Sequence, residues 1–158
     1  MKQFLKYTFL IFCLGTVVSC GGDDDICESG EGTPRMKVKF RNAGGQLRTV
    51  DSLYLRVDYG TRIVNFGKTT NADSLLIPLR VDDFEYTDLY FKTRRNNPES
   101  KVRVNYTTTS SYVSPGCGIK KTYQNVNSQL VTPGVVTSAE NGQNFIENED
   151  KTNLFLTF

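Results

Sequence analysis

Apolar and polar residues alternate one by one along most of this chain, and that pattern limits its fold more than any other feature. In Met36–Arg41, the apolar Met36, Val38 and Phe40 interleave with Lys37, Lys39 and Arg41. Further on, Leu53, Leu55, Val57 and Tyr59 interleave with Tyr54, Arg56 and Asp58. A period of two sends successive side chains to opposite faces, which suits a half-buried strand and not a helix. Further strand-like runs are expected at 63–66, 75–79, 87–92, 102–106, 119–126, 129–132, 144–147 and 153–158. Pro78 has no amide hydrogen to give a ladder, so that run should end there or lie at an edge. Turn residues cluster at Asn42-Ala43-Gly44-Gly45 and at Ser114-Pro115-Gly116-Cys117-Gly118. No stretch of about eleven residues keeps a 3.6-residue period. The expected fold is therefore all-β, an immunoglobulin-like or related antiparallel β-sandwich of about seven to nine strands.

At 158 residues the chain has room for a single ordinary core. Lys2 and Lys6 are the only charged residues of 1–19, and the remainder carries 17 basic against 17 acidic residues. That balance lacks the basic footprint of a nucleic-acid binder, so nucleic acid is not expected as a partner. Histidine is absent, which removes the Ser-His, Cys-His and His-metal chemistries. No cofactor and no metal are expected.

The N-terminus reads as an address. After Lys2 and Lys6, residues 7–18 form an apolar and small-residue run, shorter than the roughly 20 residues a membrane span needs. Its length and flanks fit a secretory signal peptide. Val17-Val18-Ser19-Cys20 resembles a bacterial lipobox, which implies cleavage after Ser19 and lipid on the Cys20 thiol. Acyl chains contribute about 0.8 kcal/mol per buried CH₂, so several of them would anchor the chain to a membrane. Gly21-Gly22-Asp23-Asp24-Asp25 is similar to the export signal of surface lipoproteins in Bacteroidetes, and Gly and Asp also make a flexible tether. The expected organisation is a signal peptide over 1–19, a lipidated acidic tether over 20–33 and a sandwich over 34–158. The expected location is the outer membrane, on its periplasmic or its outer face.

Cys13 leaves with the signal peptide and Cys20 takes lipid, so Cys27 and Cys117 remain. An even pair in an oxidising compartment reads as a disulfide, the alternative being two free thiols. The bond would close a loop of about 90 residues, worth roughly 4–5 kcal/mol on the chain-entropy view.

Several separated pieces resemble an uncharacterised lipoprotein family of Bacteroidetes, a domain of unknown function. They are Cys27 with Thr33-Pro34-Arg35, Asp73-Ser74 followed by Ile77-Pro78-Leu79, and Asn105-Tyr106. Tyr112-Val113-Ser114-Pro115-Gly116-Cys117-Gly118 and Glu147-Asn148-Glu149 complete the set. Asn153 departs from the pattern, standing where a commoner version has histidine. The resemblance implies a small exported lipoprotein with two paired cysteines, and it brings no catalytic residue with it. Such families are often encoded near outer-membrane barrels, which makes a barrel or another envelope protein the implied partner.

Among chemistry-bearing groups, Asp82, Asp83 and Glu85 form one acidic cluster and Glu147, Glu149 and Asp150 another. Glycosidic acid–base work needs two carboxyls facing across a cleft roughly 5–10 Å wide, whereas both clusters sit where solvated turns are expected. Neither has the spacing of a calcium loop, and nucleophile motifs are missing. Tyr54 and Tyr90 are out of phase with the apolar positions and should point away from the core as a possible interaction surface, or else pack across strands. Arg94, Arg95, Lys101 and Arg103 make a local basic patch that reads as a solvated hairpin tip. Asp51-Ser52-Leu53 and Asp73-Ser74-Leu75 resemble the O-glycosylation acceptor of Bacteroidetes, with Ser52 and Ser74 at exposed strand starts. The expected function is a non-catalytic interaction or structural accessory of an outer-membrane complex. The alternative is a carbohydrate-binding surface lipoprotein that uses exposed tyrosines; ligand identity is not legible.

Overall fold

Nine strands make up the regular structure of the computed structural model, which describes residues 32–158. In chain order they are β1 (Met36–Arg41), β2 (Val50–Asp58), β3 (Ile63–Ala72), β4 (Ser74–Ile77) and β5 (Tyr86–Lys92). β6 (Ser100–Ser114), β7 (Gly118–Thr132), β8 (Ser138–Asn141) and β9 (Thr152–Thr157) follow. One sheet runs β4-β1-β9-β8 and the other β3-β2-β5-β6-β7. The described residues contain no helix, and the fold is a β-sandwich.

Alternation explains the core. Met36, Val38 and Phe40 on β1 and Leu154 and Leu156 on β9 are fully buried. From the other sheet Leu53 and Val57, Leu89 and Phe91, and Val102 and Val104 supply the facing layer. Each such side chain contributes about 1.5–3 kcal/mol on leaving water. Phe158, the last residue, packs edge-on against Phe40 at 5.5 Å between ring centroids.

The structure departs from the antiparallel expectation at one pair. β1 and β9 run parallel, Val38 opposite Leu154 and Phe40 opposite Leu156. Parallel neighbours need a long crossover between them, and here everything from β2 to β8 provides it. The expected runs 119–126 and 129–132 are a single strand, β7, interrupted by a bulge at Asn125, whose φ is +53°. The extra residue keeps both Tyr123 and Val126 facing inward although they are three apart, so strict alternation could not link them. Residues 144–147 are not a strand, and only Ile146 bridges to Tyr123. The short β8, with little apolar character, carries no periodic signal.

Register also fixes the two ends of the sandwich. β5 pairs with β6 only from Tyr86–Asn105 to Phe91–Ser100, whereas β6 and β7 run on together to Ser114–Gly118. The β6–β7 hairpin therefore extends at one end, and the β5–β6 turn lies at the other. Thr33 sits at the hairpin end, where its Oγ1 accepts the Lys121 amide at 3.0 Å.

Candidate functional site on the five-stranded sheet

The outward residues of β2, β5 and β6 form a lattice of aromatic rings and charges. Asp88 is its centre. Arg103 donates to both carboxylate oxygens at 2.8 Å, and Lys101 Nζ lies 2.8 Å away. These side chains cover Asp88 so well that it is buried on an outer face. Burial by itself would push the carboxyl up, but the hydrogen bonds from Arg103 and Lys101 outweigh it and hold the group below the usual carboxylate range. Cations lie over the neighbouring rings, Arg103 over Tyr86 at 4.1 Å, and Arg56 and Lys101 over Tyr90 at 4.9 and 5.6 Å. Arg56 is held in turn by Glu99 at 2.6 Å.

A pH dependence follows from the lowered carboxyl. A depressed folded-state value means that Asp88 stabilises the fold fully above about pH 4 and loses this contribution as pH falls through the folded-state value. The Asp82 carboxyl, bonded by Arg80, and the Glu149 carboxyl, bonded by Arg35, are lowered as well and act in the same direction. Melting temperature between pH 7 and pH 2 should fall steeply below pH 4, and less steeply in Asp88→Asn. A wild-type slope unchanged by that substitution would refute the assignment.

Tyr54 and Tyr90 both point away from the core, as alternation requires, but they meet different surroundings. Two cations, Arg56 and Lys101, lie over the Tyr90 ring. Tyr54 lies opposite Lys68 on β3 and Lys92 on β5 and borders a depression of about 620 Å³ at the β5–β6 turn end. The basic patch expected at one hairpin tip is divided. Lys101 and Arg103 turn onto Asp88, while Arg94 and Arg95 meet Arg48 and Lys68 around that depression. Sequence reading missed Arg48 and Lys68, because each stands alone in its own segment.

Ser52 and Ser74 are half-buried rather than exposed. Ser52 lies inside β2 opposite Thr70, and Ser74 opens β4 with its hydroxyl donating to Asp73 at 2.9 Å. Pairing with neighbouring strands supplies the cover. Cys20 and Cys27 lie outside the described residues. Cys117 is half-buried in the turn between β6 and β7, where its amide donates to Ser114 Oγ at 3.1 Å.

Asp82, Asp83 and Glu149 of the acidic clusters are engaged in ion pairs. Arg35 makes a two-pronged contact with Glu149 at 2.7 and 2.8 Å, Arg80 with Asp82 at 2.6 Å, and Lys121 with Asp83 at 3.3 Å. A general acid needs its carboxyl raised, and the Asp82 and Glu149 groups are lowered instead. Among the described residues no group of three or more metal-ligating side chains comes together.

Residues 49–158 match a family of unknown function, DUF6452. The chain belongs to that family. The DUF6452 match starts one residue before β2 and leaves out β1, although β1 lies between β4 and β9 in the smaller sheet. The Asp88 lattice and the basic depression lie inside the DUF6452 region except for Arg48, the residue immediately before it. No curated protein and no solved structure matches the chain.

Proposed function

We propose that this DUF6452 chain is a non-catalytic, lipid-anchored protein of the cell envelope, of the Bacteroidetes lipoprotein type, held on the outer membrane through Cys20. On this reading it serves as an interaction or structural accessory of an outer-membrane complex, with a barrel or other envelope protein as partner. The observation that carries it is the outer face of the five-stranded sheet. Tyrosine and arginine are the side chains enriched where proteins bind each other tightly. Here Tyr86 and Tyr90 are already held by Arg103, Arg56 and Lys101, so docking would cost little side-chain entropy.

The entry of the chain supports the proposed Cys27–Cys117 bond. Thr33 is fastened beside Lys121, and Cys27 lies six residues before one while Cys117 lies four before the other. Six residues reach about 20 Å when extended, enough to return to the hairpin turn. The anchor then lies at the hairpin end and leaves the sheet face and the opposite end clear of it.

Crosslinking in the native envelope, followed by mass spectrometry, should recover one stoichiometric outer-membrane partner. Tyr90→Ala should lower that recovery about tenfold, a loss typical of an interface anchor. Equal recovery with Tyr90→Ala, or no partner in any detergent, would overturn the docking face. Cys20→Ala should release the chain from the membrane fraction, and retention there would overturn the anchor.

The carbohydrate-binding alternative draws on Tyr54, whose position beside a depression is the observation in its favour. Tyr90 offers less, since cations already occupy its ring.

A further inference from the structure

The balance of charge in residues 32–158 is not that of residues 20–158. Five acids, Asp23, Asp24, Asp25, Glu28 and Glu31, precede the described residues, so residues 32–158 carry 17 basic against 12 acidic groups. Half of the 12 acids are engaged in ion pairs, namely Asp88, Glu99, Glu149, Asp82, Asp83, and Glu140 on Arg41. The surplus of cations is not spread evenly.

Four of them surround the depression at the β5–β6 turn end. Arg48 comes from the β1–β2 connection, Lys68 from β3, and Arg94 and Arg95 from the turn after β5. Among the described residues Lys68, Arg94 and Arg95 make no ion pair or side-chain hydrogen bond, and Arg48 only donates Nε to the Thr49 carbonyl at 3.3 Å. Asp51 has the single acidic side chain in the lining. Cations drawn from three separate segments repel one another, and holding four of them around one carboxylate side chain disfavours the fold unless a further anion shares the site. The hydroxyls of Ser52 and Thr93 and the ring of Tyr54 line the same hollow, whose roughly 620 Å³ suits a small molecule.

We infer that this depression binds a phosphorylated sugar. Guanidinium groups grip phosphate oxygens in pairs, and lysine adds a point charge. Hydroxyl and aromatic neighbours suit the sugar, its polar edge meeting Ser52 and Thr93 and its apolar face lying on Tyr54. The inference extends the carbohydrate reading to a charged ligand, and it depends neither on the lipid anchor nor on the docking face.

The test is a titration of the full chain in detergent, followed by backbone amide shifts. The probes are glucose 1-phosphate, glucose, inorganic phosphate and a short DNA duplex. Glucose 1-phosphate should bind saturably, shifting the amides of Ser52, Lys68 and Thr93, and should bind at least tenfold more tightly than glucose, for which the cations have nothing to hold. Arg94→Gln with Arg95→Gln, both exposed and outside the core, should weaken it about tenfold or more by removing two charge-assisted contacts. Tyr54→Leu should abolish the preference over inorganic phosphate while leaving phosphate binding intact. A phosphorylated glycolipid dispersed in the same detergent distinguishes the sources. Tighter binding to it than to glucose 1-phosphate assigns the site to a lipid headgroup, and equal binding assigns it to the free sugar phosphate. Absence of saturation by either, or equal binding of DNA that the arginine variant does not alter, overturns the proposal.

Discussion

Replacing Asn153 with leucine is expected to destabilise the domain by about 3 kcal/mol or more, because three backbone groups lose their partner at once. Asn153 is 2% exposed, and its amide works in both directions. Its Oδ1 accepts the Lys37 amide at 3.1 Å, while its Nδ2 donates to the carbonyls of Gln143 at 3.1 Å and Phe145 at 2.9 Å. It sits at the irregularity where β9 steps out of register with β1, between the Lys37–Thr152 and Val38–Leu154 pairs. The side chain thus satisfies an amide that the ladder cannot and fastens the 142–146 segment over the sheet. Leucine has similar bulk but no polar atom, so desolvated groups are left unpaired rather than a cavity opened. Urea unfolding followed by far-ultraviolet circular dichroism measures the loss. A change below about 1 kcal/mol would mean that water replaces the asparagine and that this fastening is not structural.

Tyr123→Ala should cost about 3–5 kcal/mol, the usual range for deleting a large buried aromatic side chain. Tyr123 is fully buried, stacked edge-on with Tyr106 at 5.0 Å, and its hydroxyl donates to the Arg80 carbonyl at 3.1 Å. Around it the Arg80 amide donates to Thr87 Oγ1, which also bonds the Tyr106 hydroxyl at 2.7 Å. Burial pushes both phenols above the ordinary tyrosine range, so each stays protonated and able to donate. Tyr123→Phe separates packing from hydrogen bonding and should cost only about 1–2 kcal/mol, the contribution of one bond and its orphaned carbonyl. Thermal unfolding of the two variants side by side would test the division. If the phenylalanine variant lost as much as the alanine one, the hydroxyl and not the ring would be holding this part of the core.

Some of the candidate site was legible before the fold was known. Tyr54 and Tyr90 were expected on the outer face because they are out of phase with Leu53, Leu55, Leu89 and Phe91, and that phase relation is a local property of a strand. Their different surroundings were not legible. Whether cations cover a ring depends on which strand lies beside it, and nothing in residues 86–92 names β2 or β6 as a neighbour. Asp88 shows the same limit. It reads as an ordinary exposed acid until Arg103 and Lys101 are brought across from β6.

What the sequence by itself determined is the class of the fold, the inward face of most strands and the positions of several turns. Met36, Val38 and Phe40, or Leu53, Leu55 and Val57, specify an inner face through single-residue alternation, and Pro78 ends β4 through its missing amide hydrogen. Only the tertiary structure decided the parallel pairing of β1 with β9, the role of Asn153 and the gathering of Arg48, Lys68, Arg94 and Arg95. The physical reason is one of range. Side-chain alternation arises within a few residues, whereas strand order, bulge register and shared electrostatic fields arise between segments that meet only when the core closes.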